Sequence, residues 1–317
     1  MTDNPGRMLG GKYELVEQLG RGGMAVVWRA IAHGASGFAR PVAIKRIESQ
    51  VIGFAEVVEM FVEEARVGAL LNHPNIVQVF DFGQDEDGHH FLVTELVNGL
   101  HLGQWVKSHF ERAQRETPWP LVAAIGIEML RGLEAAHCRK SPDGTASPIL
   151  HRDVTPPNIL LDVGGIVKLA DFGLARAMDR GRMTRPNIVK GKLSYLAPEL
   201  IMGDAPSPAT DMFSVGIVLW EALTGERLFN AASDVDVVAQ IREAKVPMLS
   251  MKRKNLPMAL TSAVHRALEK DPSRRFRTAR EMLEALTDVL RVHPESTDER
   301  ALARSVREAQ ARLAGPG

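Results

Sequence analysis

The sequence predicts an α+β protein in two parts: a strand-rich first third and a longer, mostly helical remainder. Three observations carry this. Before residue 97, apolar residues come in short runs broken by Gly and charged turns, with one helical interval at 54–71. From Leu102 onward they recur mainly at spacings of three and four, as on the buried side of a helix. Within that helical part, Ile159–Leu161 and Ile166–Leu169 are separated by Asp162-Val163-Gly164-Gly165. Gly-Gly between short apolar runs reads as a hairpin turn.

In order, residues 1–12 are a polar, Gly-rich entry. Tyr13–Leu19 alternates as a strand, the glycine cluster Gly20-Arg21-Gly22-Gly23 follows, and Val26–Ile31 is a second strand. Ala32–Arg40 reads as a long turn and Pro41–Ile47 as the third strand, with Lys45 flanked by apolar residues. In 54–71, Val57, Val58, Phe61, Val62, Ala65, Ala69 and Leu70 form an apolar helical face. Ile76–Gly83 and Phe91–Val97 are the fourth and fifth strands, joined by the charged turn Gln84–His89. Leu121–His137 is a strong amphipathic helix, Phe213–Leu223 a buried one, and residues 260–291 are helical. After His293–Thr297, Asp298–Leu313 is a charged amphipathic segment that either docks back or binds a partner. The expected organisation is 1–12 entry, 13–97 strand-rich part, 98–292 mostly helical part and 293–317 helical tail.

A length of 317 residues suits about two domains. Lys plus Arg and Asp plus Glu are 39 each, so the +0 net charge argues against nonspecific nucleic-acid or membrane-surface binding. The single Cys138 has no internal disulfide partner, which fits a reducing compartment. The N-terminus lacks the apolar core of a signal peptide, and no run reaches the roughly 18 apolar residues of a membrane span. The expectation is a cytoplasmic protein.

The chemistry gathers at the hairpin. His151, Arg152, Asp153 and Asn158 precede its first strand and Asp171 follows its second. Pairing the strands brings Asp153, Asn158 and Asp171 to one end. Two carboxylates and an amide suit a divalent cation carrying phosphate, with one carboxylate left to accept a proton.

These residues resemble the catalytic and magnesium loops of protein kinases: His151-Arg152-Asp153, then Asn158, then Asp171-Phe172-Gly173. The resemblance covers about residues 13–292. It takes in the Gly20–Val27 loop, Lys45 after Val42-Ala43-Ile44, Ala197-Pro198-Glu199, Asp211 and Arg275. It is nearest to bacterial eukaryotic-like Ser/Thr kinases, many of which carry a membrane span and an outer sensor domain.

The resemblance implies the two-lobed protein-kinase fold, with a small antiparallel first lobe holding one main helix and a larger helical second lobe. It implies transfer of the ATP γ-phosphoryl group to protein Ser or Thr, with Mg2+. Asp153 is then the base, Asn158 and Asp171 the metal ligands, and Lys45, fixed by Glu64, the phosphate-binding amine. Glu63 is the solvated alternative to Glu64. Gly20, Arg21, Gly22, Gly23, Met24, Ala25 and Val27 cover the phosphates, with Ala25 at a position where kinases usually have a third glycine. Ala43, Thr94, Glu95, Val97 and Leu160 surround the nucleotide, Thr94 as gatekeeper. Asp211 is expected to bind the catalytic-loop backbone and Arg275 to pair with Glu199.

Two positions depart from the pattern. Thr155 stands where these kinases have a γ-phosphate lysine, and Lys192 where they have a threonine. The departures are reciprocal, so Lys192 is expected to supply the ammonium and Thr155 the hydroxyl, with the Lys192 nitrogen within about 4 Å of Asp153. The alternative is a pseudokinase serving as a nucleotide-binding interaction module. Thr184 is the expected autophosphorylation site, its phosphate received by Arg152. Gly68, four residues after Glu64, is expected to leave an apolar column short, so that the 54–71 helix needs a protein partner or phosphorylation to dock.

Overall fold

The computed structural model describes residues 4–22, 25–47, 55–172, 193–294 and 296–315. They fall in two compact units. The first comprises the described residues up to Asn72 together with Val77–Val97. The second comprises His73–Ile76, Asn98–Phe172 and the described residues from 193 on.

The first unit is a six-stranded antiparallel sheet in the order β1-β2-β3-β4-β6-β5. Its strands are β1 (Met8–Leu9), β2 (Tyr13–Arg21), β3 (Ala25–His33), β4 (Ala39–Ile47), β5 (Val79–Gln84) and β6 (His90–Glu95), with helix α1 (Ala55–Ala69) between β4 and β5. Alternation sorts the side chains. Val26, Trp28, Val42, Ile44 and Val93 build one buried face with Leu9, Leu15 and Phe91. On the other face, Ile47 and Leu92 pack with Phe61 and Ala65 of α1.

Three expectations change here. The turn after the second strand is shorter, because β3 and β4 stay paired out to His33↔Ala39. The fourth strand starts at Val79, because Ile76 is buried in the second unit as a parallel bridge partner of Leu169. Ala69 and Leu70 are exposed, Leu70 beyond the end of α1, so the apolar helical face stops short of them.

The second unit opens with β7 (Gly99–His101), α2 (Leu102–Lys107) and α3 (Trp119–His137). Next come β8 (Ile159–Asp162), β9 (Val167–Leu169), α4 (Pro198–Ile201) and α5 (Pro208–Thr224). It closes with α6 (Asp234–Glu243), α7 (Leu249–Lys252), α8 (Met258–Ala267), α9 (Ala279–Arg291) and α10 (Glu299–Ala314). Every residue of α5 from Thr210 to Leu223 is buried, so the buried helix expected over Phe213–Leu223 forms and extends to the polar residues Thr210 and Asp211. The helical interval expected over 260–291 is two helices. Pro272 lies between them and opens a 3-10 turn capped by Asp271, whose carboxylate accepts the Ser273 N–H.

The hairpin forms as expected. β8 and β9 pair antiparallel, Ile159↔Leu169 through Leu161↔Val167, and β7 joins on the far side of β8. Ile166 falls in the turn rather than in β9. The tail docks back. Helix α10, capped by Asp298, buries Leu302, Ala303, Val306 and Ala309, and Trp105 Nε1 donates to Ser305 Oγ at 3.0 Å. Its apolar face is therefore covered by its own unit. No helix among the described residues is long and apolar enough to cross a membrane.

Candidate active site

In the first unit the site is built on the sheet face that α1 covers. Cross-strand partners share a face. Lys45 pairs with Val27 and Leu92, and Ala43 pairs with Thr94. Val27, Ala43, Lys45 and Thr94 are all half-buried, while the alternating residues Val42 and Ile44 are fully covered. Lys45 Nζ lies 2.7 Å from Glu64 Oε1, whose side chain is 3% exposed. Glu63 instead meets Arg66 at the helix surface. Glu64 is thus the buried partner, and it fixes the position of the amine.

At the glycine loop, β2 carries a bulge between Gln18 and Gly20 before Gly20 pairs with Val27 and Arg21 with Val26. The Gly22 N–H donates to the Ala25 carbonyl at 2.8 Å, and a Cβ placed at Gly20 would meet nothing within 4 Å. Gly23 and Met24 lie outside the described residues.

Gly68 corrects the sequence reading. A Cβ there would come within 2.6 Å of a Val79 methyl group. Val79 already fills the space, so α1 has no gap at Gly68 for a docking partner or a phosphate to compensate.

In the second unit, Asn158 Nδ2 donates to Asp153 Oδ2 at 2.8 Å and to the Asp153 carbonyl at 2.9 Å. The Ala170 N–H donates to the Asn158 carbonyl at 2.9 Å, which ties the start of β8 to the residue before Asp171. Asp153, Thr155 and Asn158 are buried, and Leu160 is half-buried on the opposite side of β8 from Ile159 and Leu161.

Arg152 and Asp171 adopt φ of 63° and 61°, a left-handed region costly for side-chain-bearing residues and common at functional sites. Asp211, fully buried on α5, fixes the first of these. Its two oxygens accept the N–H groups of His151 and Arg152 at 2.9 and 2.8 Å. The Asp211 carboxyl is pushed up by burial, but the His137 hydrogen bond at 2.7 Å, neighbouring positive charge and the His151 N–H outweigh this and hold it below the usual carboxylate range. Burial pushes the His151 imidazole below its ordinary value despite the opposing pull of Asp211, Asp153 and Asp171. The ring packs on Phe172 with centroids 4.3 Å apart.

Two contributors escaped sequence reasoning. His137 is the last residue of α3, and nothing local marks it as the donor to Asp211. Asn75 binds the hairpin, donating through Nδ2 to the Val167 carbonyl at 2.9 Å and accepting the Leu169 N–H at 2.8 Å. The His73-Pro74-Asn75 run lies directly before Ile76 in the sequence, but nothing local marks Asn75 as a support of the hairpin.

The residues present fit a magnesium-bearing site. Asn158 spends its amide nitrogen on Asp153, which leaves its side-chain oxygen available to a cation. That oxygen and the Asp171 carboxylate are hard donors of the type Mg2+ takes beside phosphate oxygens and water. Lys192, Thr184 and Gly173 lie outside the described residues.

Residues 13–286 match the protein kinase domain family. A probable serine/threonine-protein kinase of Clostridium perfringens is 36% identical over 279 residues, 88% of this chain and 38% of that protein. Tyrosine-protein kinase MasK of Myxococcus xanthus is 36% identical over 283 residues, 89% of this chain and 44% of that protein. The chain thus spans less than half the length of these two curated relatives. The crystal structure of the PknI kinase domain of Mycobacterium tuberculosis aligns with a TM-score of 0.68 at 26% identity, covering 92% of this chain and 100% of that one. A match that runs unbroken from β2 into α9, through both units, makes this chain a member of the protein kinase family.

Proposed function

We propose that the chain transfers the γ-phosphoryl group of ATP to Ser and Thr hydroxyls of proteins, its own included. The observation that carries this is the 2.8 Å bond from Asn158 to Asp153. It fixes the Asp153 carboxylate and leaves the Asn158 amide oxygen available to a cation, which supports a base beside a metal-bound phosphate.

Asp153 orients the acceptor hydroxyl and takes its proton. Lys45, held by Glu64, binds the α- and β-phosphates. The Gly20–Val27 loop covers them with backbone N–H groups. Ala43, Thr94 and Leu160 flank the adenine, and the backbone at Glu95 and Val97 bonds its edge. Asn158 and Asp171 hold Mg2+, which neutralises phosphate charge when bound. Lys192 supplies the ammonium usual at the position of Thr155, and Thr155 supplies the hydroxyl. Catalysis is then mostly positioning and charge neutralisation. A phosphate on Thr184 pairs with Arg152 and orders the segment that carries Lys192. Because ATP is a cytoplasmic metabolite, the reading assigns the chain to the cytoplasm.

The test is transfer of radiolabel from γ-labelled ATP by the purified chain, with Asp153→Asn as control and phosphoamino-acid analysis of the product. Label on Ser and Thr that disappears in the control supports the reading. Nucleotide binding without transfer would instead make the chain an interaction module, and label on Tyr would overturn the acceptor class.

A further inference from the structure

The family match ends at residue 286, yet α10 beyond it is built into the second unit. Its anchor is the turn of the β8–β9 hairpin. Arg307 Nη1 donates to the Val163 carbonyl at 2.7 Å. On the other flank, the Val163 N–H donates to the Asn98 carbonyl at 2.8 Å. One turn residue thus has both backbone groups held, one by the tail and one by the segment leading into β7. The first turn of α10 also abuts the hairpin. Gly165 has φ +94°, and a Cβ there would lie 1.9 Å from the Glu299 carbonyl oxygen. Only glycine allows that approach, on grounds of both conformation and space. Deeper in, Trp105 and Ser305, each buried, are hydrogen-bonded across 200 residues of sequence.

The turn and the metal-binding end belong to one short rigid piece. Three residue pairs separate them, Leu161↔Val167 next to the turn and Ile159↔Leu169 next to Asn158. At about 3.3 Å per residue, the turn and the far end lie on the order of 10 Å apart along the same paired strands. There the Ala170 N–H joins the Asn158 carbonyl, immediately before Asp171.

We propose that α10 is a working part of the catalytic unit, a clamp on the hairpin turn, and that Arg307 is a positioning residue for the magnesium-binding pair Asn158 and Asp171. This rests on the kinase reading for the role of that pair, and on the structure alone for the clamp.

The experiment compares the full chain with Arg307→Ala, Arg307→Lys and, as control, Arg304→Ala at another exposed site on α10. Arg307 is itself exposed, so folding should survive its loss. Two readouts are taken: amide hydrogen exchange in a peptide covering 159–171, and the Mg2+ concentration needed for half-maximal binding of a non-hydrolysable ATP analogue. Losing one such hydrogen bond should speed exchange about threefold to tenfold in Arg307→Ala. The Mg2+ requirement should rise about threefold or more. Arg307→Lys should recover part of both, and Arg304→Ala should change neither.

A merely structural role would lower the fraction of binding-competent protein without moving the Mg2+ midpoint. Unchanged exchange in Arg307→Ala overturns the clamp. Faster exchange with an unmoved Mg2+ midpoint overturns the positioning role. Neither readout needs turnover, so a wild-type chain that binds the analogue but transfers no phosphate would defeat the kinase reading while leaving the clamp decided by its own data.

Discussion

Arg275 grips Glu199 with two parallel N–H···O bonds of 2.7 Å each, across 76 residues of sequence, with both side chains almost fully buried. The guanidinium uses its other bonds on backbone, donating to the Glu269, Ala209 and Lys270 carbonyls at 2.7, 3.0 and 3.1 Å. It therefore joins α4, the start of α5 and the α8–α9 connection at one point. A planar fork matches a carboxylate in a way an ammonium cannot.

Removing one side of that pair strands a buried charge. Arg275→Ala and Glu199→Ala should each destabilise the fold by about 3–5 kcal/mol, read from urea unfolding. Arg275→Lys should recover little, because it loses the fork. A change below 1 kcal/mol in either alanine variant would mean that water reaches the site (about one surface-pair's worth).

Lys45 and Glu64 are tied at 2.7 Å with the carboxylate side chain 3% exposed. Lys45→Met should lower phosphoryl transfer by about 100-fold or more, the scale of losing one charge-stabilising donor. Glu64→Gln keeps the shape and should cost less, acting through the placement of the amine. Steady-state transfer rates on folded protein check this, and equal losses would contradict the order of roles.

The Thr155 and Lys192 exchange makes a reciprocal prediction. Lys192→Met should lower kcat about 100-fold, and the double change Thr155→Lys with Lys192→Thr should restore most of it. A wild-type kcat in Lys192→Met would remove Lys192 from the chemistry.

Gly68 lies against Val79, with 2.6 Å between a built Cβ and the nearest methyl carbon. Gly68→Leu should therefore overpack α1 against β5 and destabilise by about 1–3 kcal/mol. Adding Val79→Ala should relieve part of the loss. Activation of the protein by Gly68→Leu would revive the gap that the structure fills.

Acid should weaken the fold. Burial holds His109, His151 and His265 below the ordinary histidine value of 6.5. The unfolded chain then takes protons first as pH falls below 6.5, so stability from the neutral rings is full above that value and lost below it. Asp211 acts in the same direction lower down. Its folded carboxyl titrates below 3.8, so its contribution is present above 3.8 and lost as pH falls through the folded value. Glu221, raised by burial from 4.5, opposes them as a single group. The thermal midpoint should fall between pH 7.5 and 5, and a midpoint that rises on acidification would refute the assignment.

Much of this was legible in the sequence because it is local or periodic. Partial alternation marked β2, short apolar runs marked β3 and β4, the three-and-four spacing marked α3, a longer apolar run marked α5, and Gly164-Gly165 marked the hairpin turn. Asp153, Asn158 and Asp171 could be placed together because a two-stranded hairpin leaves its flanks no other arrangement. Strand ends were misread where a neighbour competes for the residue. Ile76 left β5 for a bridge to Leu169, and Pro272 divided what spacing alone made a single helical interval.

What the sequence determined by itself was the set of chemical groups and their order along two kinds of periodic element. Only the tertiary structure decided which of two adjacent glutamates meets Lys45, that Val79 rather than a partner fills the space at Gly68, and that His137 supports Asp211 and Asn75 the β8–β9 hairpin. It also decided that the tail helix is spent on its own unit. The reason is physical. Backbone periodicity is set by neighbours a few residues away, whereas burial, pairing and close approach depend on segments as much as 204 residues distant, whose meeting no local pattern encodes.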